Sequence, residues 1–327
     1  MQDFDIACVG NAKIDLFLHF DDANKHLKLN EQSNELYFHL GEKIAVDKCR
    51  LSPGGNAANV AAGLSRLEIN TTLFAEIGDD ELSDKIINSL KKEKVHTENV
   101  SRLKDHTASV SVILSFKGDR TIFSQHIQKP HDFKFDNLST KWVYLTSIGE
   151  EWKNAYEKVI MYVTKTNCRL AFNPGTVQIN AGYESIANVL NATNILFVNK
   201  EEAAKIKNYE LRIMNQEDNE KKIKLLLEQL QKLGPKIVVI TDGENGSFAI
   251  DEKGQIHTNG IIKTNIAEKT GAGDAYSSGF MAAMSQGKSI KDAMLWGTIS
   301  SANVIEKVGA QNGLLTKNEM EEKTKHA

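Results

Sequence analysis

Thr270-Gly271-Ala272-Gly273-Asp274, running into Ala275-Tyr276-Ser277-Ser278-Gly279-Phe280-Met281-Ala282-Ala283-Met284, sets a carboxylate among nearly bare backbone amides where a helix begins. Gly271, Ala272 and Gly273 have little side chain to shield their N–H groups, and a helix N-terminus adds about half a positive charge aimed at an anion placed there. Charge developing on a transferring phosphoryl group would be stabilised at such a turn. Asp274 is placed to take the proton of an attacking hydroxyl, which is a poor nucleophile until a base removes it. The structural alternative is that Asp274 simply N-caps a helix after a glycine turn. No Lys-Ser/Thr pair ends the segment, which argues against a P-loop.

Upstream, short apolar runs recur between longer helical patterns: residues 6–9, 72–77, 142–145, 170–172, 195–198 and 237–240. Runs apolar on both faces predict parallel strands covered by helices. Helices are expected over 56–67, 81–94, 150–165 and 218–233, the last with Ile223, Leu226, Leu227 and Leu230 on one face. That alternation is the mark of a doubly covered α/β sheet.

Two regions, 14–50 and 107–126, break the pattern. Ile14, Leu16, Leu18 and Phe20, then Val110, Val112 and Leu114, alternate with other residues and predict antiparallel strands of a separate small sheet. Such a sheet would be a lid over a site at the C-terminal ends of the main strands, where open α/β sheets bind ligands. The polar run Asp21 to Glu35 reads as a loop, and the charged tail 317–327 as a terminal helix or frayed end.

A chain of 327 residues can bury a full core, and one large domain with an appendage is expected over 1–327. The net charge is −3, with Lys, Arg, Asp and Glu interspersed, so no field of one sign exists to hold nucleic acid or an anionic membrane. The expected partner is a small molecule. Cys8, Cys49 and Cys168 have no metal-ligand spacing and read as thiols of a reducing compartment. With no basic n-region at Met1-Gln2-Asp3-Phe4-Asp5 and no long apolar run, a cytoplasmic enzyme is the expectation.

Ser52-Pro53-Gly54-Gly55-Asn56-Ala57-Ala58-Asn59-Val60-Ala61-Ala62-Gly63-Leu64 is the second informative segment, a glycine pair opening a small-residue helix. Asn56 and Asn59 can each donate and accept, as sugar hydroxyls do. Its structural alternative is a Pro-Gly-Gly turn leading into a closely packed helix. Taken together, the two segments resemble the ribokinase-like, PfkB carbohydrate kinase family, whose Gly-Gly-x-x-x-Asn and Gly-Ala-Gly-Asp elements have this order and wide separation. The resemblance spans nearly the whole chain. It implies a ribokinase-like three-layer α/β/α sandwich with a mostly parallel central sheet and a small β-sheet lid.

It further implies that Asp274 is the catalytic base and that Gly271, Ala272 and Gly273 form the anion hole. Asp15, Gly54, Gly55, Asn56 and Asn59 would bind the acceptor through its hydroxyls. Asn199 and Glu202 resemble the family's Asn-x-x-Glu element, which orders Mg2+ and its waters beside ATP, although the same pair is close to a capping box. Thr241-Asp242-Gly243-Glu244-Asn245-Gly246 resembles the loop under the nucleotide phosphates; on its own Asn245-Gly246 reads as a hairpin turn.

The departures are informative. Many relatives have Asp-Thr or Asp-Ser before Thr-Gly-Ala-Gly-Asp, and that Asp helps hold K+ in cation-activated members; this chain has Glu268-Lys269. The departure weakens the expectation that Glu268 holds a monovalent cation, and an inward Lys269 ammonium would be the substitute. Near Gly297, where some relatives place Asn or His beside adenine, the base contact is expected to be apolar. Phe172-Asn173-Pro174-Gly175 lacks the Asp-x-Asn-x-Arg pattern of many fructokinases, and Thr146-Ser147 replaces a carboxylate common in ribokinases. Arg120, in Gly118-Asp119-Arg120-Thr121, could extend from the lid toward a phosphate or the acceptor, but a hairpin Arg is at least as readily solvated, and it is left outside the core site. The expected activity is phosphorylation of a hydroxymethyl group of a small sugar by ATP. Alternatives are a nucleoside kinase of the same fold and a non-catalytic sugar or nucleotide sensor, which would have no need of Asp274. Apolar lid strands could pair two copies into a homodimer.

Overall fold

Strands that read as continuous apolar runs end up in one sheet, because helices cover both of its faces. The computed structural model describes residues 2–21, 24–33, 35–117, 119–125, 127–207 and 219–326. The chain begins β1 (Gln2–Val9), β2 (Lys13–Phe20), β3 (Lys28–Asn30), β4 (Glu35–Tyr37), β5 (Lys48–Gly54), α1 (Asn56–Arg66), β6 (Thr71–Ile77), α2 (Glu81–Lys92) and β7 (Val100–Arg102). It continues β8 (Val110–Phe116), β9 (Asp119–Ser124), β10 (Leu138–Thr146), α3 (Trp152–Thr166), β11 (Arg169–Asn173), α4 (Thr176–Asn180), α5 (Tyr183–Ala192), β12 (Ile195–Asn199) and α6 (Lys200–Ile206). After α7 (Asn219–Gln231) and β13 (Ile237–Thr241) come β14 (Ser247–Ile250), β15 (Ile256–Asn259), α8 (Ala272–Ser285), α9 (Ile290–Val304) and α10 (Lys317–Thr324). Asp218, where the seventh helix was expected to start, lies outside the described residues, as do Asp22, Ala23, Asn34, Gly118 and His126 of the lid regions.

The main sheet has the order β15-β14-β13-β12-β11-β10-β1-β6-β7. It is parallel from β7 to β13, and β14 and β15 add on antiparallel. Strand alternation splits its side chains between two cores. Ile6, Cys8, Tyr144, Phe197 and Val239 pack with Leu64 of α1, Leu90 of α2, Phe280 of α8 and Met294 of α9. Ala7, Val9, Val143, Leu145 and Leu196 face the opposite way, onto Tyr156 of α3, Leu190 of α5, Ile206 of α6 and Leu226 of α7. This is the three-layer ribokinase-like arrangement.

The small sheet has the order β5-β2-β8-β9. The expected all-antiparallel pairing is corrected at its centre: β2 pairs with β5, and β8 with β9, antiparallel, but β2 and β8 run parallel. Both β2 and β8 leave the C-terminal edge of the main sheet, after the parallel strands β1 and β7, so they set out in the same direction. The polar run expected as a loop instead contains β3 and ends on the first residue of β4, with which β3 forms a hairpin. Leu27, Leu29 and Leu36 pack there against Phe20 and Phe116 on one face of the lid. Strands of three residues among charged neighbours are too short for a periodic signal. Among the described residues the edge strands of the lid are β5 and β9. The three cysteines are free thiols. Among the described residues no helix is long and apolar enough to cross a membrane.

Candidate active site

Asn173, Asn199 and Thr241 stand at the C-terminal ends of β11, β12 and β13 and meet the start of α8 around a cleft of about 210 Å³. The glycine turn is built to begin that helix. Gly271 is the N-cap at φ +84°, and a β-carbon there would overlap Ala310, so left-handed backbone and close packing both require glycine. Asp274 lies within the first turn of α8 and is not its cap, which removes the simple capping explanation. Gly271, Ala272, Gly273 and Asp274 all line the cleft, and the Ala272 N–H also closes a turn onto the Lys269 carbonyl at 3.3 Å.

Asp274 is only 7% exposed. Asn59 Nδ2 donates to its Oδ2 at 2.8 Å and Asn56 Nδ2 to its Oδ1 at 3.3 Å. Burial, reinforced by the negative charge of Asp15, lifts the carboxyl to about 7 against the pull of Asn59, Lys13 and Asn56. A carboxylate poised near neutrality is the form a general base takes. Asn56 and Asn59, expected on the acceptor's hydroxyls, thus turn their N–H groups to Asp274. Their carbonyl oxygens are held from behind by Ser147 and Gln311.

Asp15 is 4% exposed, so the alternative of a solvated carboxylate on an alternating strand is overturned. Burial raises its carboxyl to about 6, with Lys13 opposing. Gly54 is the reason it fits: a β-carbon there would overlap the Asp15 carboxylate. Gly55 follows as the N-cap of α1 at φ +95°, close under Asn11.

Asn199 and Glu202 form a reciprocal capping box at the start of α6, with Glu202 N–H donating to Asn199 Oδ1 at 2.8 Å and Asn199 N–H to Glu202 Oε2 at 2.9 Å. Both also line the cleft, so the capping role does not take them away from it. Burial raises the Glu202 carboxyl.

In the 241–246 loop, Thr241 faces the cleft. Asp242 is drawn into an ion pair with Lys200 Nζ at 2.8 Å and accepts from Asn219 and Asn245. Burial alone would raise its carboxyl, but these partners hold it below the usual range. Its side chain is therefore occupied in holding the loop. The 241–246 loop is the turn of the antiparallel hairpin β13–β14, but longer than an Asn-Gly pair: Gly243–Asn245 is a 3-10 turn with positive φ at Gly243 and Gly246, not at Asn245. Glu244 is exposed on that turn.

Glu268 is 7% exposed and tied to both the glycine turn and the lid. Its Oε1 accepts from Thr270 N–H at 3.1 Å and Thr270 Oγ1 at 2.9 Å, and its Oε2 from Ser115 Oγ of β8 at 2.9 Å. The cation beside it is Arg120 of β9, with Nε 3.6 Å from Oε1. Lys269, expected to supply that charge, is exposed at the rim of the cleft. Arg120 lines the same cleft, although its place in a polar hairpin read equally well as solvated. Gln311 was missed outright and Ser147 was noted only for the carboxylate it replaces, since lone Ser and Gln residues in turns carry no spacing signal for their contacts with Asn56 and Asn59. Gly297 is buried against the Tyr276 ring, where a β-carbon would come within 2.9 Å.

Residues 13–317 match the profile of the pfkB family carbohydrate kinases. An uncharacterized sugar kinase of Archaeoglobus fulgidus is 26% identical over 266 residues, covering 77% of this chain and 98% of that protein. The nucleoside kinase of Methanocaldococcus jannaschii superposes with a TM-score of 0.79 at 22% identity, covering 100% of this chain and 99% of the other. Arabidopsis thaliana ribokinase, solved with ribose and ATP, gives a TM-score of 0.80 at 20% identity, with 98% of each chain covered. The chain belongs to the PfkB family of carbohydrate kinases, ATP-dependent enzymes that phosphorylate sugars.

Proposed function

We propose that this chain transfers the γ-phosphoryl group of ATP to a hydroxymethyl group of a small sugar, with Asp274 as general base. The observation that carries the reading is a nearly fully buried carboxylate, held by two amides, in the first turn of a helix that opens on a glycine turn. Asp274 takes the hydroxyl proton as the acceptor oxygen attacks phosphorus. The bond to the β–γ bridging oxygen breaks, and that oxygen leaves on ADP. The N–H groups of Gly271, Ala272 and Gly273 stabilise the charge on the moving phosphoryl group. Asp15 binds acceptor hydroxyls beside Gly54 and Gly55, while Thr241, Gly243 and Gly246 serve the nucleotide phosphates. The lid excludes water that would otherwise hydrolyse ATP.

The residues fit Mg2+. Glu202 lines the cleft with Oε2 engaged by Asn199, leaving Oε1 for a hydrated cation, and no cluster of three acidic, His or Cys ligands exists among the described residues. A single carboxylate suits magnesium, which keeps several waters and takes other ligands from substrate phosphates. When bound, the ion offsets charge on the triphosphate.

A sugar acceptor is tested by an ADP-release screen across pentoses, hexoses and nucleosides. Turnover with a sugar is the expected result; turnover confined to nucleosides would replace the reading with the nucleoside kinase, and none at all, with intact ligand binding, with the sensor. Because Arg120 already sits beside Glu268, replacing NaCl by KCl at constant ionic strength is expected to leave turnover unchanged. A severalfold rise with K+ would show that Glu268 serves a metal after all.

A further inference from the structure

Two hydrogen-bonded arms converge on Asp274, one on each carboxylate oxygen. Gln311 Nε2 donates to Asn59 Oδ1 at 3.0 Å, and Asn59 Nδ2 donates to Asp274 Oδ2 at 2.8 Å. On the other side Ser147 Oγ donates to Asn56 Oδ1 at 3.1 Å, and Asn56 Nδ2 donates to Asp274 Oδ1 at 3.3 Å. A carboxamide has one accepting and one donating end, and an ionised carboxylate only accepts. Each Asn must therefore show its NH2 to Asp274 and its oxygen to whatever lies behind. Gln311 and Ser147 supply a donor at each of those rear positions, so each Asn is locked in the orientation that favours a charged carboxylate. Gln311 and Asn59 are both buried, where an unmatched carbonyl or amide costs most.

We propose that Gln311 and Ser147 are positioning residues that act through Asn59 and Asn56 to keep Asp274 ionised and ready to accept the acceptor's proton. The proposal rests on the reading of Asp274 as the base. Gln311 comes from the turn between α9 and α10, and Ser147 is the residue that follows β10. The relay therefore joins four segments that the chain keeps far apart. Other ionisable groups around Asp274 are Asp15 and Lys13 of β2 and Tyr144 of β10, with Glu202 of α6, Arg120 of β9 and Lys269 before α8 in the same cleft. Tyr276 of α8 lines that cleft too, and the side-chain hydrogen bonds of Gln311 and Ser147 go to Asn59 and Asn56 and not to any of these groups.

The test is the pH profile of kcat for Gln311→Met and Ser147→Ala, with Asp274→Asn in the same series. Losing the rear donor frees the amide to turn its oxygen toward the carboxylate, which disfavours the charged form. Each variant is expected to move the acid limb of the profile upward by about 0.5 to 1 pH unit, a rate loss of roughly three- to tenfold on that limb that disappears at high pH. A merely structural role would lower kcat equally at every pH. Gln311→Glu sharpens the distinction: it keeps the shape of Gln but replaces the donor by an acceptor, so it is expected to exceed Gln311→Met. An acid limb that stays at its wild-type place in Gln311→Met and Ser147→Ala would overturn the proposal. Should Gln311→Met fail to fold, Ser147→Ala alone decides. If Asp274→Asn is inactive while the limb is unmoved, only the relay falls; if Asp274→Asn keeps the wild-type rate, the base assignment falls with it.

Discussion

Asp274→Asn is expected to lower kcat by about two to four orders of magnitude, the usual contribution of a positioned base, while ATP binding and the fold persist. Asn can occupy the space between Asn56 and Asn59 but cannot take a proton. In the wild type, kcat is expected to rise with pH through about 7, where the buried carboxyl loses its proton. The same shift has a consequence for stability with a definite sign. The folded-state value, about 7, lies above the ordinary 3.8, so the native state binds the proton more tightly than the unfolded chain. The stabilisation from that proton is complete below 3.8 and lost as pH rises through about 7. Asp274→Asn carries no such dependence. It is expected to melt a few degrees above the wild type at pH 8, with the gap closing below about pH 4. Thermal melts of both proteins across that range check the sign, and a variant that retained near-normal turnover would remove Asp274 from the base's role.

Asp15→Asn is expected to act mainly on the acceptor. Replacing a buried carboxylate that accepts hydroxyl hydrogen bonds forfeits roughly 1.5–3 kcal/mol, a rise of about ten- to a hundredfold in acceptor KM with little change in KM for ATP. The loss of a like charge near Asp274 carries a second signature: Asp274 ionises more easily, so the acid limb of the kcat profile moves down. That is opposite to the direction expected from Gln311 and Ser147. Steady-state kinetics with each substrate varied in turn separate the effects. Equal increases in both KM values would place Asp15 in the scaffold instead of the acceptor site.

Much of the main sheet was legible because its strands are buried on both faces and flanked by amphipathic helices, as with residues 237–240 and the Ile223, Leu226, Leu227, Leu230 face of α7. The lid was legible as a separate sheet but not in its pairing, since alternation tells which side chains share a face, not which strand lies alongside. The hairpin β3–β4 stayed hidden because Leu27, Leu29 and Leu36 are spread through a charged run. At the site, Asp274 and the glycine turn announced themselves through residues adjacent in sequence. The buried state of Asp15 did not, because it depends on Gly54 arriving on the next strand. Gln311 was invisible for the same reason, and Arg120 and Ser147 could be named in the sequence but not given their partners, Glu268 and Asn56.

The sequence by itself determined the alternation of strands and helices, the glycine turn before α8 and the carboxylate within it. These depend on local periodicity and on backbone freedom at a few positions, which short stretches of chain contain in full. Tertiary structure alone decided how charge is distributed around that carboxylate. It aligned β2 with β8, set Arg120 rather than Lys269 beside Glu268, buried Asp15 against Gly54, and closed Gln311 and Ser147 behind two asparagines. Electrostatics and hydrogen bonding act over a few ångströms of space, and the groups that meet there come from segments that neither spacing nor composition connects.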